Sequence, residues 1–166
     1  MNATIAPQTQ ETDIDWVARA RDLTPLIAEA SARTEAEGRV TEDVMQAMHA
    51  AQLFRASLPR SIGGGEASPL TLMEMTEAIA TADASTAWCL GQALGCCWAA
   101  AYTAPEVAQE IFSPANAVLA WGPPDPKSKA VKVDGGYRVT GEWRFGSGSR
   151  NATWVGGHSM VYEDEN

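Results

Sequence analysis

Residues 133–145 carry the sequence VDGGYRVTGEWRF, which predicts a β-hairpin followed by a further strand. The turn at 134–136 is Asp-Gly-Gly, and it separates two short runs at 130–133 and 137–140 that have the composition of strands. A glycine-rich turn between two such runs is a strong local signal for a hairpin. Residues 142–145 are expected to continue as the next strand.

Residues 117–121 predict a short apolar strand, and residues 153–162 predict another. Together with the hairpin they predict an antiparallel, barrel-like β-region that begins at residue 116. A sheet this small has exposed edges and is marginal unless it packs on another element. We therefore expect the β-domain in residues 116–166 to be incomplete, with an exposed strand edge that can pair with another chain.

The first two thirds of the chain have helical periodicity. Apolar residues recur at three- and four-residue steps from 14 to 36, and Ser68 followed by Pro69 is a typical helix start. Residues 54–58 alternate and predict extended chain. The fold class we predict is α+β: a disordered lead-in over 1–13, a bundle of about five helices over 14–115, and then the partial β-domain.

The composition excludes several kinds of partner. The net charge is −9, which repels phosphate backbones and anionic lipid surfaces, so we expect no nucleic-acid partner. Residues 86–102 contain no charge and reach the length of a membrane span, but Gly91, Gln92 and Gly95 interrupt them and no basic anchor adjoins them. A helix buried in a bundle explains this segment, and we expect no membrane contact and a cytoplasmic location.

The cysteines and histidines do not form a recognisable metal or disulfide pattern. The three cysteines are Cys89, Cys96 and Cys97, without a Cys-x-x-Cys pair, and His49 and His158 lie far apart in the chain. We expect buried reduced thiols, no disulfide framework and no metal site.

The segment after the hairpin is the best candidate for chemistry. Trp143, Phe145 and Ser147 alternate, so in a strand they project to one face. Two apolar rings followed by a hydroxyl suit a flat aromatic ligand with a ring heteroatom. The alternative is a tryptophan and phenylalanine core face followed by a Gly-Ser turn. Neither a nucleophile elbow nor a phosphate-binding loop is present, since the glycines at 63–65 are followed by Glu-Ala.

Three segments in order resemble the acyl-CoA dehydrogenase superfamily. Residues 58–65, LPRSIGGG, resemble its loop between early helices; residues 82–88, ADASTAW, are similar to the start of its buried central helix; and residues 133–145 look like its β-domain hairpin and the following strand. The FGSG ending at 145–148 and the later Trp154 are more similar to the two-component flavin monooxygenase branch. The resemblance covers roughly residues 15–160.

The resemblance implies a flavin, FAD or FMN, in its reduced form. It places the cofactor against Ser147, Trp143, Phe145, Trp121, Gly122 and Gly148. Ser147 matches the serine beside the reactive ring nitrogen. Gly122-Pro123-Pro124 stands where the family has a Thr-Glu-Pro loop, so this sequence departs from the family pattern there. Some of these monooxygenases line the pocket with a histidine; here neither the central helix nor the first loop has one, and His158 lies too late to match.

By the same resemblance, the function we expect is that of the N-terminal part of a flavin-dependent oxidoreductase. It is expected to belong to the oxygenase component of a two-component monooxygenase, acting on a small organic substrate with a flavin reductase as partner. The alternatives are an acyl-CoA dehydrogenase proper and a truncated, non-catalytic module that needs a partner chain. The family's C-terminal bundle, which supplies oligomer contacts and the dehydrogenase carboxylate, is not in these residues, so we name no catalytic residue and expect a homo-oligomer or association through the strand edge.

Overall fold

The computed structural model describes residues 14–164, which form a helical domain followed by two small sheets. The lead-in expected for 1–13 lies outside the described residues. The α-helices are α1 (Trp16–Glu37), α2 (Glu42–Ala50), α3 (Pro69–Ala80), α4 (Ala84–Cys96) and α5 (Pro105–Phe112). The strands are β1 (Leu119–Gly122), β2 (Lys129–Val133), β3 (Gly136–Thr140), β4 (Trp154–Gly157) and β5 (Met160–Tyr162).

The predicted fold class is confirmed as a helical domain that leads into a small sheet. The last helix ends at Phe112 and the first strand begins at Leu119. The domain boundary expected at residue 116 falls between them and stays a prediction.

Local capping determines where three of the helices begin. The carboxylate of Asp15 accepts a hydrogen bond from the backbone of Ala18 at the start of α1, and Asp83 does the same for Thr86 at the start of α4. Ser68 caps α3 by accepting from the backbone N–H of Thr71. Each cap satisfies a backbone donor that has no partner inside its helix. The chain therefore fixes these starts with short-range chemistry.

The helices enclose an apolar core in which α1 packs along α3, and α3 packs against α4. Its fully buried side chains come from every helix in this group, with Ile27 from α1, Met48 from α2, Ile79 from α3 and Leu90 from α4. A second, smaller cluster joins the end of α4 to α5 and to β1. This second cluster attaches the first strand to the helical domain.

Two helical-domain predictions differ from the structure. Residues 54–58 are not extended, because Leu53–Arg55 form a single 3₁₀ turn closed by a hydrogen bond from Ala56 N to Leu53 O. The uncharged helix ends at Cys96 and tightens into a 3₁₀ segment, Cys97–Ala101, as helix C-termini commonly do. Within residues 14–164, no helix combines the length and apolar character that crossing a bilayer demands.

The strands form a mixed arrangement instead of a uniformly antiparallel one. The predicted hairpin is confirmed, with β2 and β3 antiparallel across the turn. In contrast, β4 runs parallel to β1 and β5 runs parallel to β2. Residues 153–162 therefore make two strands instead of the single strand predicted, because β4 and β5 pair in different sheets and the chain must turn between them.

Candidate functional site

Trp143 lies across the end of the β1–β4 pair, against two glycines. Gly122 and Gly157 are register partners in this pair. A methyl group on Gly122 would overlap the Cβ of Trp143, and one on Gly157 would lie 2.5 Å from its ring atom Cε2. The indole Nε1 donates to the backbone oxygen of His158 at 2.7 Å. Both positions are glycine because the indole packs directly on their backbone.

The predicted strand at residues 142–145 does not form. The chain turns after Trp143: Phe145 has a φ of 56°, Ser147 N donates to Phe145 O at 2.8 Å, and Ser149 N donates to Gly146 O at 3.0 Å. Trp143, Phe145 and Ser147 therefore do not line one face of a strand, and that interpretation of their spacing was wrong.

Phe145 combines an unfavourable backbone with an unprotected ring. Its φ of 56° lies in the left-handed region, which bulky residues rarely adopt. Its side chain is 86% exposed, so packing of the ring does not compensate within the described residues. Strained residues of this kind cluster at ligand-binding sites, where the surrounding structure holds them in place. Phe145 is for this reason a strong candidate for a contact with a ligand.

Ser147 and Gly148 lie on the N-terminal half of α4. The indole Nε1 of Trp88 donates to the Ser147 hydroxyl oxygen at 3.0 Å. Gly148 has a φ of 80°, which favours glycine, and sits over Cys89: a Cβ on Gly148 would be 3.7 Å from the Cβ of Cys89. Residues 145–148, which we call the FGSG loop, thus rest on α4, which we call the central helix.

Trp121 and Gly122 end β1 on the other side of the FGSG loop. Side chains alternate along a strand, so Trp121 faces away from the side where Trp143 covers Gly122. Trp121 is half-buried against the second apolar cluster, and its backbone oxygen lies 4.0 Å from the Cβ position of Gly146. The structure therefore places the loop between β1 and α4. Trp121 and Trp143 occupy opposite faces and do not form a single wall.

His158 is a site neighbour that the sequence interpretation dismissed. Its ring lies 5.0 Å from the Trp121 ring in an edge-on arrangement, and its Nδ1 is 2.8 Å from the backbone oxygen of Gly122. The parallel pairing of β1 with β4 carries His158 to the end of β1. Local sequence contains no signal for a parallel pairing across more than thirty residues, since the intervening chain can take many paths.

The segment after the FGSG loop attaches it to the helical domain. The Arg150 guanidinium donates to the backbone oxygen of Glu37 at 2.9 Å, and the Asn151 side-chain amide donates to Val40 O at 2.9 Å. Thr153 exchanges hydrogen bonds with the backbone of Val118, at 3.0 Å in each direction. These bonds hold the loop at a fixed position relative to α1 and β1.

The thiol of Cys89, over which Gly148 sits, carries no charge. Burial raises the pKa of the Cys89 thiol, and the nearby Asp83 carboxylate raises it further, so this thiol stays neutral at physiological pH. In residues 14–164, no three His, Cys, Asp or Glu side chains are grouped closely enough to hold a metal ion. What the loop offers a ligand is an exposed ring, backbone and a hydroxyl.

The donor set of the loop fits a flavin ring. The Ser147 oxygen accepts the bond from Trp88, so its own proton is left to donate to a ligand atom. The adjacent Phe145 ring provides an exposed apolar surface. A planar heteroaromatic ring with an acceptor nitrogen matches this combination.

The described residues form a helical domain whose central helix supports a loop at the end of a small sheet. A family model for the N-terminal domain of acyl-CoA dehydrogenases matches residues 15–119. The chain belongs to the acyl-CoA dehydrogenase family through this N-terminal domain, as the resemblance indicated.

Three similar proteins define the branch. The chain is 32% identical over 117 residues to indole-3-acetate monooxygenase of Pseudomonas putida, an alignment that covers 70% of this chain and 30% of the relative. It is 30% identical over 151 residues to the oxygenase component of an FADH(2)-dependent resorcinol hydroxylase of Rhizobium sp. (strain MTP-10005), covering 90% and 37%. The crystal structure of 3-HSA hydroxylase from Rhodococcus sp. RHA1 superimposes with a TM-score of 0.85 at 25% identity, covering 95% and 41%.

The chain thus spans well under half the length of the relatives that it matches, between 30% and 41% in these three comparisons. The chain is similar to the N-terminal part of oxygenases of the flavin-dependent monooxygenase type.

Proposed function

We propose that this chain forms the N-terminal part of the oxygenase component of a two-component flavin monooxygenase. The observation that carries the proposal is the FGSG loop, where a strained, exposed Phe145 stands beside a Ser147 hydroxyl that accepts a hydrogen bond from Trp88 of α4. The exposed ring of Phe145 gains no packing that offsets this strain in the described residues, and strained residues cluster at ligand-binding sites, which supports a role in binding.

The relatives support the choice of chemistry. The resorcinol hydroxylase is described as FADH(2)-dependent and as an oxygenase component, which favours reduced FAD over FMN and a separate flavin reductase as partner. Indole-3-acetate and resorcinol are small aromatic compounds. We propose a small aromatic substrate for this protein as well. The cytoplasmic location stays a prediction.

In this proposal the residues of the chain bind and orient the flavin. Ser147 donates its free proton to an acceptor on the ring, and Phe145 covers part of the ring and excludes water from it. Gly148 lets the backbone turn sharply enough to rest on α4. The end of β1, against which the loop lies, is held in place by Trp121, Gly122 and Trp143. In this proposal these three residues support the loop and do not contact the flavin. When bound, the reduced flavin supplies the activation of oxygen. We propose no acid or base among these residues.

Flavin binding by the full gene product tests this proposal. Anaerobic titration with FAD and FMN, each oxidised and dithionite-reduced, is followed by absorbance and calorimetry. Ser147→Ala should weaken binding of the preferred flavin roughly fivefold, the loss expected for one net hydrogen bond. Phe145→Ala should weaken it by a similar factor through lost ring contact. Ser61→Ala, an exposed serine before α3, is the matched control and should change nothing.

The outcome separates three cases. Binding that falls in both loop variants and persists in the control supports the site. A wild-type protein that binds no flavin in either redox state would remove the proposed function. Flavin binding that is unchanged in both loop variants would keep the flavoprotein but remove the FGSG loop from its site.

We also propose that the protein associates with a second copy through its sheet edge. The three-stranded sheet ends in β3 and β5, whose side chains are all exposed, including Met160 and Val161. Unpaired strand edges with apolar side chains favour pairing with another chain. Sedimentation velocity of the wild type and Val161→Lys tests this: the lysine should shift the distribution toward monomer, and an unchanged distribution would exclude this edge.

A further inference from the structure

Trp88 is an exposed tryptophan with a specific long-range hydrogen bond. It lies on α4, its side chain is 61% exposed, and its indole Nε1 donates to Ser147 Oγ, a residue 59 positions later in the chain. A surface indole can donate to water equally well, so this bond adds little to folding stability. Its position on the site serine is the feature that needs an explanation.

The bond restricts the direction in which Ser147 can donate. A serine hydroxyl has one proton and two acceptor lone pairs, and alone it rotates among three staggered positions. The indole N–H occupies one lone-pair direction of Ser147 Oγ, so the proton must point elsewhere. The ordering cost of fixing this rotor is then met before a ligand arrives, and such preorganisation increases affinity.

We infer that Trp88 is a positioning residue that orients the Ser147 hydroxyl as a donor to an acceptor atom of the bound flavin ring. This inference rests on the proposed flavin contact of Ser147. Trp88 acts through the serine: its indole holds the oxygen, and the serine proton makes the contact. Through the Trp88 side chain, α4 therefore determines the direction in which the FGSG loop donates a hydrogen bond to the ligand.

A double-mutant cycle on flavin affinity tests the inference. The variants are Trp88→Phe, which keeps a ring and removes the N–H, Ser147→Ala, and the combination of both. The probes are FAD and FMN, oxidised and reduced, titrated anaerobically into the full gene product. We expect Trp88→Phe to weaken binding roughly threefold to fivefold in the wild-type background and to have no further effect in Ser147→Ala, since coupled residues are non-additive.

Two additional variants keep the test decisive. Trp98→Phe is the matched control, because Trp98 is similarly exposed, at 57%, on the segment that follows α4, and its replacement should leave affinity unchanged. Trp88→Leu also lacks the donor and replaces Trp88→Phe if that variant unfolds. Circular dichroism confirms that each variant is folded.

Each result has a defined meaning. A Trp88→Phe penalty that vanishes in Ser147→Ala supports the inference. An equal penalty in both backgrounds would show that Trp88 acts independently of the serine and would overturn it. An unchanged affinity for Trp88→Phe, with Ser147→Ala weakened, would also overturn it and leave the proposed function standing. Absence of flavin binding in the wild type would remove the proposed function and this inference together.

Discussion

Replacement of Gly157 by alanine tests whether Trp143 packs on the strand ends as the structure indicates. The new methyl group would lie 2.5 Å from Cε2 and 2.9 Å from Cδ2 and Cζ2 of the indole. Carbon atoms in ordinary contact are at least about 3.4 Å apart, so the ring must move by about 0.9 Å. That movement also disturbs the 2.7 Å bond from Trp143 Nε1 to His158 O.

The expected cost follows from these two effects. Overpacking of a tight contact costs about 1–3 kcal/mol, and a weakened hydrogen bond adds up to about 1 kcal/mol. Because Trp143 is only half-buried and can tilt toward solvent, we expect the free energy of unfolding to fall by about 2 kcal/mol. Urea unfolding, followed by circular dichroism and tryptophan fluorescence, measures it.

Two companion variants decide whether the indole is the cause. In a Trp143→Ala background the ring is absent, so Gly157→Ala should change the free energy of unfolding by less than about 0.5 kcal/mol. Gly136→Ala, also a glycine in a strand, meets nothing within 4 Å and should be close to neutral. If Gly157→Ala costs the same with and without Trp143, the proposed packing of the indole on the glycine pair is refuted.

Two further predictions concern the start and the end of the central helix. Asp83→Ala removes the N-cap of α4 and should lower the free energy of unfolding by about 1 kcal/mol. Burial raises the pKa of Asp83, but hydrogen bonds from Ser85 and from the Thr86 backbone outweigh this and lower it overall, so its charged form stabilises the fold at neutral pH. That contribution is lost as the pH falls through the unfolded pKa of about 3.9 and on toward the lower folded pKa. The difference in the free energy of unfolding between wild type and Asp83→Ala, measured in urea, should therefore narrow below about pH 4. A difference that stays constant would contradict the role of the charged Asp83 carboxylate as N-cap. Burial raises the pKa of Cys97 to about 12 and that of Cys96 to about 11, so both thiols stay protonated in the folded protein. Iodoacetamide at about pH 8 should therefore label neither thiol before unfolding and both thiols after it. Peptide mass spectrometry measures the labelling. Rapid labelling of folded Cys97 would show that the 3₁₀ segment Cys97–Ala101 opens locally.

Features that depend on neighbouring residues in the chain were predictable from the sequence. The β2–β3 hairpin needs the Asp-Gly-Gly turn at 134–136, and the start of α3 needs Ser68 and Pro69, each of which acts within a few residues. Their free energies are local, so the sequence pattern contains them. The resemblance to the acyl-CoA dehydrogenase superfamily also rests on such short segments, and the family match over residues 15–119 confirms it.

The geometry of the site depended on tertiary pairing. The alternation of Trp143, Phe145 and Ser147 predicted a strand, but the chain turns at Phe145 and the FGSG loop docks on α4. The parallel pairing of β1 with β4 brings His158 to Trp121, and the docking of the loop brings Trp88 to Ser147.

The sequence by itself determined the order of helices, the hairpin and the family, because capping and turn propensities act over a few residues. Only the tertiary structure decided that Trp121 and Trp143 lie on opposite faces and that Trp88 of α4 bonds to Ser147. Contacts between residues 59 positions apart depend on how whole elements pack, and local composition does not contain that information.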